Sequence, residues 1–316
     1  MKRTRSKGEM VNNLLLAGSL LTLASTVASG LHISYRNWQQ TELQRIQTRG
    51  LIAETALGPV EYQMTGSGPA VIYAHGTPGG YDQGISFARF FGGEDNLGCT
   101  FISPSRPGYL RTPLSSGTTP EAQADLYTAL LDMLGMEKAS VIGFSGGGPS
   151  ALQFAIRHPD RCRSLIMMGG IVQRHDVQER MQRLPFWKRG GQKLVEALLI
   201  SDRFLYFVVP IARYIPSGDA VAGMLCSGAH YKSLRRTGFE NDQTQFAAIE
   251  PYPLAQISAP TLIVHGKQDG DVPFADAELL AREIPNAQLM ELSGDHSAFY
   301  AYSKTVMPMV HSYLIS

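Results

Sequence analysis

The chain has 316 residues, of which 44% are hydrophobic and 17% charged, with a formal net charge of +1. That length supports one large domain or two modest ones around a substantial core, and the near-neutral balance argues against a nucleic-acid partner, since no basic stripe occurs beyond the N-terminus. Cys99, Cys162 and Cys226 are far apart and odd in number, so they form neither a metal pattern nor a disulfide framework and read as single buried thiols.

The N-terminus has its own pattern. Lys2, Arg3, Arg5 and Lys7 precede an uncharged segment from Leu14 to Leu31, whose apolar heart is Leu14, Leu15, Leu16, Leu20, Leu21 and Leu23. Small residues follow from Ala24 to Gly30. A basic start, an apolar middle and a small-residue end are the three parts of a secretory leader, with cleavage expected near Ser29. As a helix the segment is about 27 Å long, close to the thickness of a bilayer core, so an uncleaved anchor is the other reading. Either way the following domain is expected outside the cytoplasm. Residues 1–31 are thus read as leader or anchor, and the polar stretch 32–50 as a linker or short surface helix.

From Leu51 the pattern becomes that of a folded domain. Leu51 to Leu57 and Val60 to Met64 predict two strands of an edge hairpin around Gly58-Pro59. Ala70 to His75, Cys99 to Ser103, Ala139 to Phe144, Ser164 to Met168, Thr261 to His265 and Ala287 to Leu292 are short apolar runs, as buried parallel strands should be. Helices are expected between them at Gln83 to Phe91, from Thr119-Pro120-Glu121 onward, at Pro149 to His158, at Phe274 to Arg282, and at Ala298 to Leu314 to close the chain. Thr119 is an N-cap with Pro at the first helical position, and Gly135 ends that helix. This alternation predicts an α/β fold with a mostly parallel sheet. Residues 171–259 break the rhythm and predict only helices: Val177 to Leu184, Lys193 to Ser201, Phe204 to Tyr214, Ala220 to His230 and Thr244 to Ile249. They read as a helical cap inserted after the sixth strand, with the core formed by 51–170 and 260–316. Its apolar residues are expected mainly to pack on the core, with some lining a pocket for an apolar substrate. Its acids Glu196, Asp202, Asp219, Glu240 and Asp242 read as a solvated surface.

One strand ends in Gly143-Phe144-Ser145-Gly146-Gly147, a G-x-S-x-G turn between strand and helix. Glycines on both sides leave room for a serine in a strained conformation. A serine hydroxyl needs an adjacent base. Of the eight histidines, His296 lies just past the last strand, on the edge of a parallel sheet where sites assemble. The base in turn needs a carboxylate. Asp269, in the loop after His265, is favoured; Asp271 and Asp295 are its rivals. The order Ser145, Asp269, His296 is one of the known orders of serine-hydrolase triads. Two N–H groups should hold the oxyanion. Gly146 supplies one, and the loop His75-Gly76-Thr77-Pro78-Gly79-Gly80 the other, assigned to Thr77 with Gly76 as rival.

Together these residues resemble the α/β-hydrolase superfamily over Leu51 to Gly170 and Pro260 to Leu314. The matching motifs are His75-Gly76-Thr77-Pro78-Gly79, Arg106-Pro107-Gly108-Tyr109, the serine turn, and His265-Gly266-x-x-Asp269-x-x-Val272-Pro273 with His296. The resemblance implies that the acid is Asp269 and the second donor Thr77. The His-Gly-x-Pro-Gly loop is similar to that of proline iminopeptidase-like and epoxide-hydrolase-like members; the latter use an Asp nucleophile where this chain has Ser145. Leu110, where glycine is frequent, and Asp295 depart from the commonest pattern. The expected activity is hydrolysis of an ester-like bond in a small apolar substrate through an acyl-enzyme, with no cofactor and no metal. A proline iminopeptidase-like aminopeptidase and a catalytically silent binding protein are the alternatives.

Overall fold

The structure, a computed structural model, describes residues 7–92, 98–183, 185–214 and 218–315. The chain divides into two compact units, Met1–Arg45 and Ile46–Ser316. Helix α1 (Lys7–Arg49) makes up the described part of the first unit and ends in the second. Lys2, Arg3 and Arg5 lie outside the described residues. The stretch expected as a linker or short surface helix is therefore helical as far as Arg49, as its Gln, Glu and Arg content without Gly or Pro favours. Leu16, Leu20, Leu21, Leu23, Val27 and Leu31 are exposed. No helix among the described residues is long and apolar enough to cross a membrane.

The second unit is built on a sheet. Its strands are β1 (Leu51–Thr55), β2 (Gly58–Thr65), β3 (Ala70–Ala74), β4 (Thr100–Pro104), β5 (Ala139–Phe144), β6 (Cys162–Met168), β7 (Thr261–Gly266) and β8 (Ala287–Leu292). Among the described residues they form one sheet in the order β1-β2-β4-β3-β5-β6-β7-β8. The hairpin β1–β2 and the pair β2–β4 are antiparallel, and every pairing from β4 to β8 is parallel. The mostly parallel sheet read from the sequence is the one observed.

Successive strand residues face opposite sides. In β3, Ala70, Ile72 and Ala74 join the cluster on one face of the sheet, while Val71 and Tyr73 join that on the other. Helices α2 (Tyr81–Gly92), α3 (Pro120–Met133) and α4 (Gly148–Arg157) follow β3, β4 and β5. Thr119 caps α3, its hydroxyl accepting from the Ala122 amide. Both faces are covered, which explains why these strands read as continuous apolar runs. Cys99, Cys162 and Cys226 are buried.

Between β6 and β7 the described residues hold helices and no strand: α5 (Val177–Arg183), α6 (Phe186–Leu199), α7 (Asp202–Ala212), α8 (Gly218–Cys226) and α9 (Arg236–Ala247). We call this segment the lid. α6 and α9 start well before the positions read from the sequence, because helix continues through Gly190-Gly191 and through Gly238. Gly238 has a packing reason: a Cβ there would lie 2.3 Å from the Tyr109 ring. In α7 the apolar residues divide, Leu205 and Val209 buried, Phe207 and Ile211 exposed. After the lid come α10 (Phe274–Glu283), α11 (Ala298–Ala301) and α12 (Ser303–Ile315), the last two taking the place of the single closing helix expected.

A buried ion pair ties the lid to the sheet unit. Arg235 donates to both carboxylate oxygens of Asp82, at 3.2 and 2.8 Å, and to the carbonyls of Gly79 and Ala229. The two side chains are 0% and 2% exposed. Removing one partner of such a pair strands the other charge out of water. Asp82→Ala is expected to cost about 3–5 kcal/mol, read as a lower urea midpoint at unchanged slope.

Candidate active site

The turn at Ser145 is fixed by close contacts on three sides. β5 runs between β3 and β6 and ends at Phe144; Ser145 then takes φ 50, in the left-handed region. A short 3-10 turn, Ser145–Gly147, leads into α4 with Pro149 in its first turn. A Cβ at Gly143 would lie 2.7 Å from the Ala151 methyl, and one at Gly147 2.0 Å from the Ala74 carbonyl oxygen. A Cβ at Gly146 would lie 2.1 Å from Thr77 Oγ1. The glycines allow helix, strand and neighbouring loop to close on the serine together.

The loop after β7 presents Asp269. Its Oδ1 accepts from the amides of Asp271 and Val272, at 2.8 and 2.9 Å. Its Oδ2 meets His296 Nδ1 at 2.7 Å and His265 Nε2 at 3.2 Å. The side chain is 0% exposed. Burial works to raise the Asp269 pKa, but hydrogen bonds from the two histidines prevail and hold the carboxyl well below its usual range. At His296 burial favours the neutral ring, but the hydrogen bond and charge of Asp269 outweigh it and raise the imidazole above its ordinary pKa. With Nδ1–H given to Asp269, Nε2 is the ring atom left to accept a proton.

Several neighbours hold the imidazole. Phe144, next to the serine, stacks on it with ring centroids 5.6 Å apart. Gly169, at φ 54 after β6, lies beneath it: a Cβ there would be 3.0 Å from His296 Cε1. The structure thus brings Asp269 and His296 into contact, and places His296 against the residue preceding Ser145. Asp271 is exposed and gives only its amide to Asp269. Asp295 accepts from the Ser297 amide and hydroxyl. Neither rival acid bonds the histidine. Asp269, Asp271 and His296 bring ligand-type atoms within 4.8 Å of one another, with Asp269 and His296 bonded to each other.

The loop after β3 separates the two donor candidates. The Gly76 amide is committed to Gln83 Oε1 at 2.6 Å. Among the described residues no acceptor meets the Thr77 amide, and Thr77 packs directly on Gly146. His75 is buried; its Nε2 accepts from the Arg106 amide at 2.9 Å, so Nδ1 donates to the Gly76 carbonyl at 2.8 Å. Burial and the neighbouring Arg106 hold its pKa well below the ordinary imidazole value.

Two features lay beyond the sequence reading. His265 shares the Asp269 carboxylate rather than only ending a strand. Asp242, expected on a solvated lid surface, is 1% exposed. The expectation misses because an isolated acid on a polar helix carries no mark of its partner, and that partner, Arg106, lies far away in sequence. Of the other lid acids, Asp202 accepts from the His230 amide at 2.9 Å and Glu240 pairs with Arg236 on the surface; the side chains of Glu196 and Asp219 lie outside the described residues. Leu110 stands at φ 52, the left-handed conformation that explains why glycine is frequent there.

Comparison with known proteins shows the family. Residues 69–196 match the family described as alpha/beta hydrolase fold, and residues 237–316 the family described as TAP-like protein. An alpha/beta hydrolase fold protein from Nakamurella multipartita is 34% identical, with a TM-score of 0.68, over 84% of this chain and 99% of its own. The chain belongs to the α/β-hydrolase superfamily. It is similar to a 2-hydroxy-6-oxononadienedioate/2-hydroxy-6-oxononatrienedioate hydrolase of Burkholderia vietnamiensis, 28% identical over 240 residues, 73% of this chain and 81% of the relative. An esterase from Exiguobacterium antarcticum, 20% identical, shares the fold with a TM-score of 0.63 over 84% of this chain and all of its own.

The Asp269 contact makes a measurable statement about His296. Its ring protons, followed by NMR, should titrate with a midpoint above about 6.5, the ordinary imidazole value. Asp269→Asn removes the raising influence and leaves burial, so the midpoint should fall. A midpoint that stays or rises would contradict the pairing.

Proposed function

We propose that this hydrolase works through a Ser145–His296–Asp269 triad on an ester-like bond of a small, apolar substrate. The observation that carries the reading is the 2.7 Å contact of His296 with a fully buried Asp269, beside a serine held in the left-handed elbow conformation. His296 takes the Ser145 proton as the hydroxyl attacks the acyl carbon. The amides of Gly146 and Thr77 hold the resulting oxyanion. His296 then protonates the leaving group, and water, deprotonated by the same ring, releases the acid and restores the serine. An apolar substrate is supported by Phe246, whose ring lies against Gly146 and which clusters with Ile171, Val272 and Ile249.

Similarity to the Burkholderia dienedioate hydrolase brings a second possibility, a substrate bearing two carboxylates. It calls for cations facing the site, whereas Arg106 and Arg235 are already paired with buried acids. The aminopeptidase alternative calls for a free acid over the site, and Asp202, Glu240 and Asp242 are each already bonded to other groups. Ester hydrolysis is the reading retained. The N-terminal segment is proposed as an export leader or anchor, supported by its basic start and exposed apolar run. N-terminal sequencing of the mature protein tests that part: an intact Met1 in a cytoplasmic fraction would refute it.

Ser145→Ala should abolish turnover of short-chain aryl esters and block labelling by a fluorophosphonate probe, which reports the activated serine. Undiminished hydrolysis by this variant would refute the triad, and an unlabelled wild-type protein would favour the binding-protein alternative. Gly169→Ala forces a methyl against the imidazole at a left-handed position. It should lower kcat by about 10-fold or more, within the range that small misplacements produce.

A further inference from the structure

We propose that Asp242, on lid helix α9, is a positioning residue for hydrolysis: through the Thr77 hydroxyl and Arg106 it holds the loop whose amide faces the oxyanion. The inference rests on the triad reading above and adds to it a residue of the lid. Among the described residues the donors to the Asp242 carboxylate come from Thr77, Arg106 and Tyr109, outside the lid. Arg106 Nη1 reaches Oδ1 at 2.7 Å and Nη2 reaches Oδ2 at 2.6 Å. Tyr109 donates its hydroxyl to Oδ2 at 2.6 Å, and Thr77 donates its own hydroxyl to the same oxygen. Arg106 Nη2 also donates to Thr77 Oγ1 at 3.0 Å. The Thr77 hydroxyl thus gives its proton to the lid and accepts from Arg106, so it is not free to meet a substrate and its rotamer is fixed.

That fixed rotamer bears on the elbow. Thr77 Oγ1 sits where a Cβ of Gly146 would come within 2.1 Å of it, so the side chain that Asp242 grips is the one that sets the distance between the two donor-bearing segments. A second set of bonds holds the same loop from behind: Arg106 Nε donates to the His75 carbonyl at 2.9 Å and its amide to His75 Nε2. On the lid side, α9 is pressed onto the Arg106–Tyr109 loop. The Gly238 amide donates to the Gly108 carbonyl at 2.8 Å, and the Leu110 amide to the Leu234 carbonyl at 2.7 Å. The lid therefore cannot leave this loop without releasing Thr77.

Stability alone does not account for the arrangement. The Arg106 and Asp242 side chains are each 2% exposed. Replacing such a pair by apolar residues of similar size is often neutral or favourable. What the ion pair supplies that an apolar pair does not is direction: a planar guanidinium fork and a carboxylate define where one hydroxyl must stand.

The test uses the full chain with Thr77→Val, Thr77→Ser and Asp242→Asn, assayed on a short-chain aryl ester well below each variant's Tm. Valine keeps the branched shape and the backbone amide but loses the hydroxyl; serine keeps the hydroxyl. Thr77→Val should lower kcat by about 10-fold to 100-fold with KM within about 2-fold, since a misplaced donor weakens the transition state more than the ground state. Thr77→Ser should recover most of that loss. Asp242→Asn should lower kcat in the same way, and combining it with Thr77→Val should add little, because both act through one contact. Wild-type kcat in Thr77→Val, or equal losses in the Val and Ser variants, would overturn the proposal. So would a lower Tm with kcat unchanged, which is the mark of a merely structural clamp. Failure of the underlying triad reading shows differently, as hydrolysis surviving Ser145→Ala, and would overturn both.

Discussion

The site depends on one backbone constraint, the left-handed conformation of Ser145 at φ 50. A non-glycine residue there costs roughly 1–2 kcal/mol, and its surroundings have to enforce it. They do so through three glycines: Gly143 lets α4 approach β5, Gly147 lets the turn lie on the end of β3, and Gly146 lets Thr77 close from the side. Because β3, β5, β6 and β7 are parallel neighbours, the loops leaving them emerge at the same edge. The loops that carry Thr77, Gly169 and Asp269, far apart in the chain, thereby converge on the edge where Ser145 stands.

Two buried carboxylates at that edge are loaded in different ways. Asp269 takes two amides of its own loop on one oxygen and two histidine nitrogens on the other. Asp242 takes an arginine fork, a tyrosine and a threonine. The first set leaves a ring whose proton can come and go. The second contains the always-charged Arg106, whose pKa Asp242 raises despite the opposing effect of burial. Tyr109 is likewise held protonated, by burial and then by the Asp242 charge. The Asp269 side of the proposed site therefore holds a titratable imidazole, while on the Asp242 side Arg106 is held charged and Tyr109 protonated.

Much of the sheet was legible because its inner strands, such as β5, are buried on both faces, while the partly exposed edge strand β8 is bounded by turns. Ala139 to Phe144 and Ala287 to Leu292 were read with the bounds observed. The His265-Gly266-x-x-Asp269 spacing likewise pointed to an acid that the structure does set against His296. Local signals failed where the cause is tertiary. The early start of α9 was hidden by Gly238, a glycine kept for contact with Tyr109 rather than for a turn. Asp242 lies 136 residues from its partner Arg106, and no periodicity in the helix that carries it distinguishes it from Glu240, which is solvated. Gly169 carries no sequence signal of its own; its place under His296 depends on a loop far later in the chain.

The lid's chemistry follows from that same pairing. A carboxylate above an oxyanion would repel the charge that forms there and would attract a substrate ammonium. Asp242 does neither, because Arg106 neutralises it before any substrate arrives. Asp242 is thereby converted from a recognition group into a strut, and Gly146 also meets the Phe246 ring from the same helix. One helix thus sets the loop with a charged residue and lines the turn with an aromatic one four positions later, on the same face. Movement of α9 would change the Thr77–Gly146 spacing and the Phe246 wall together.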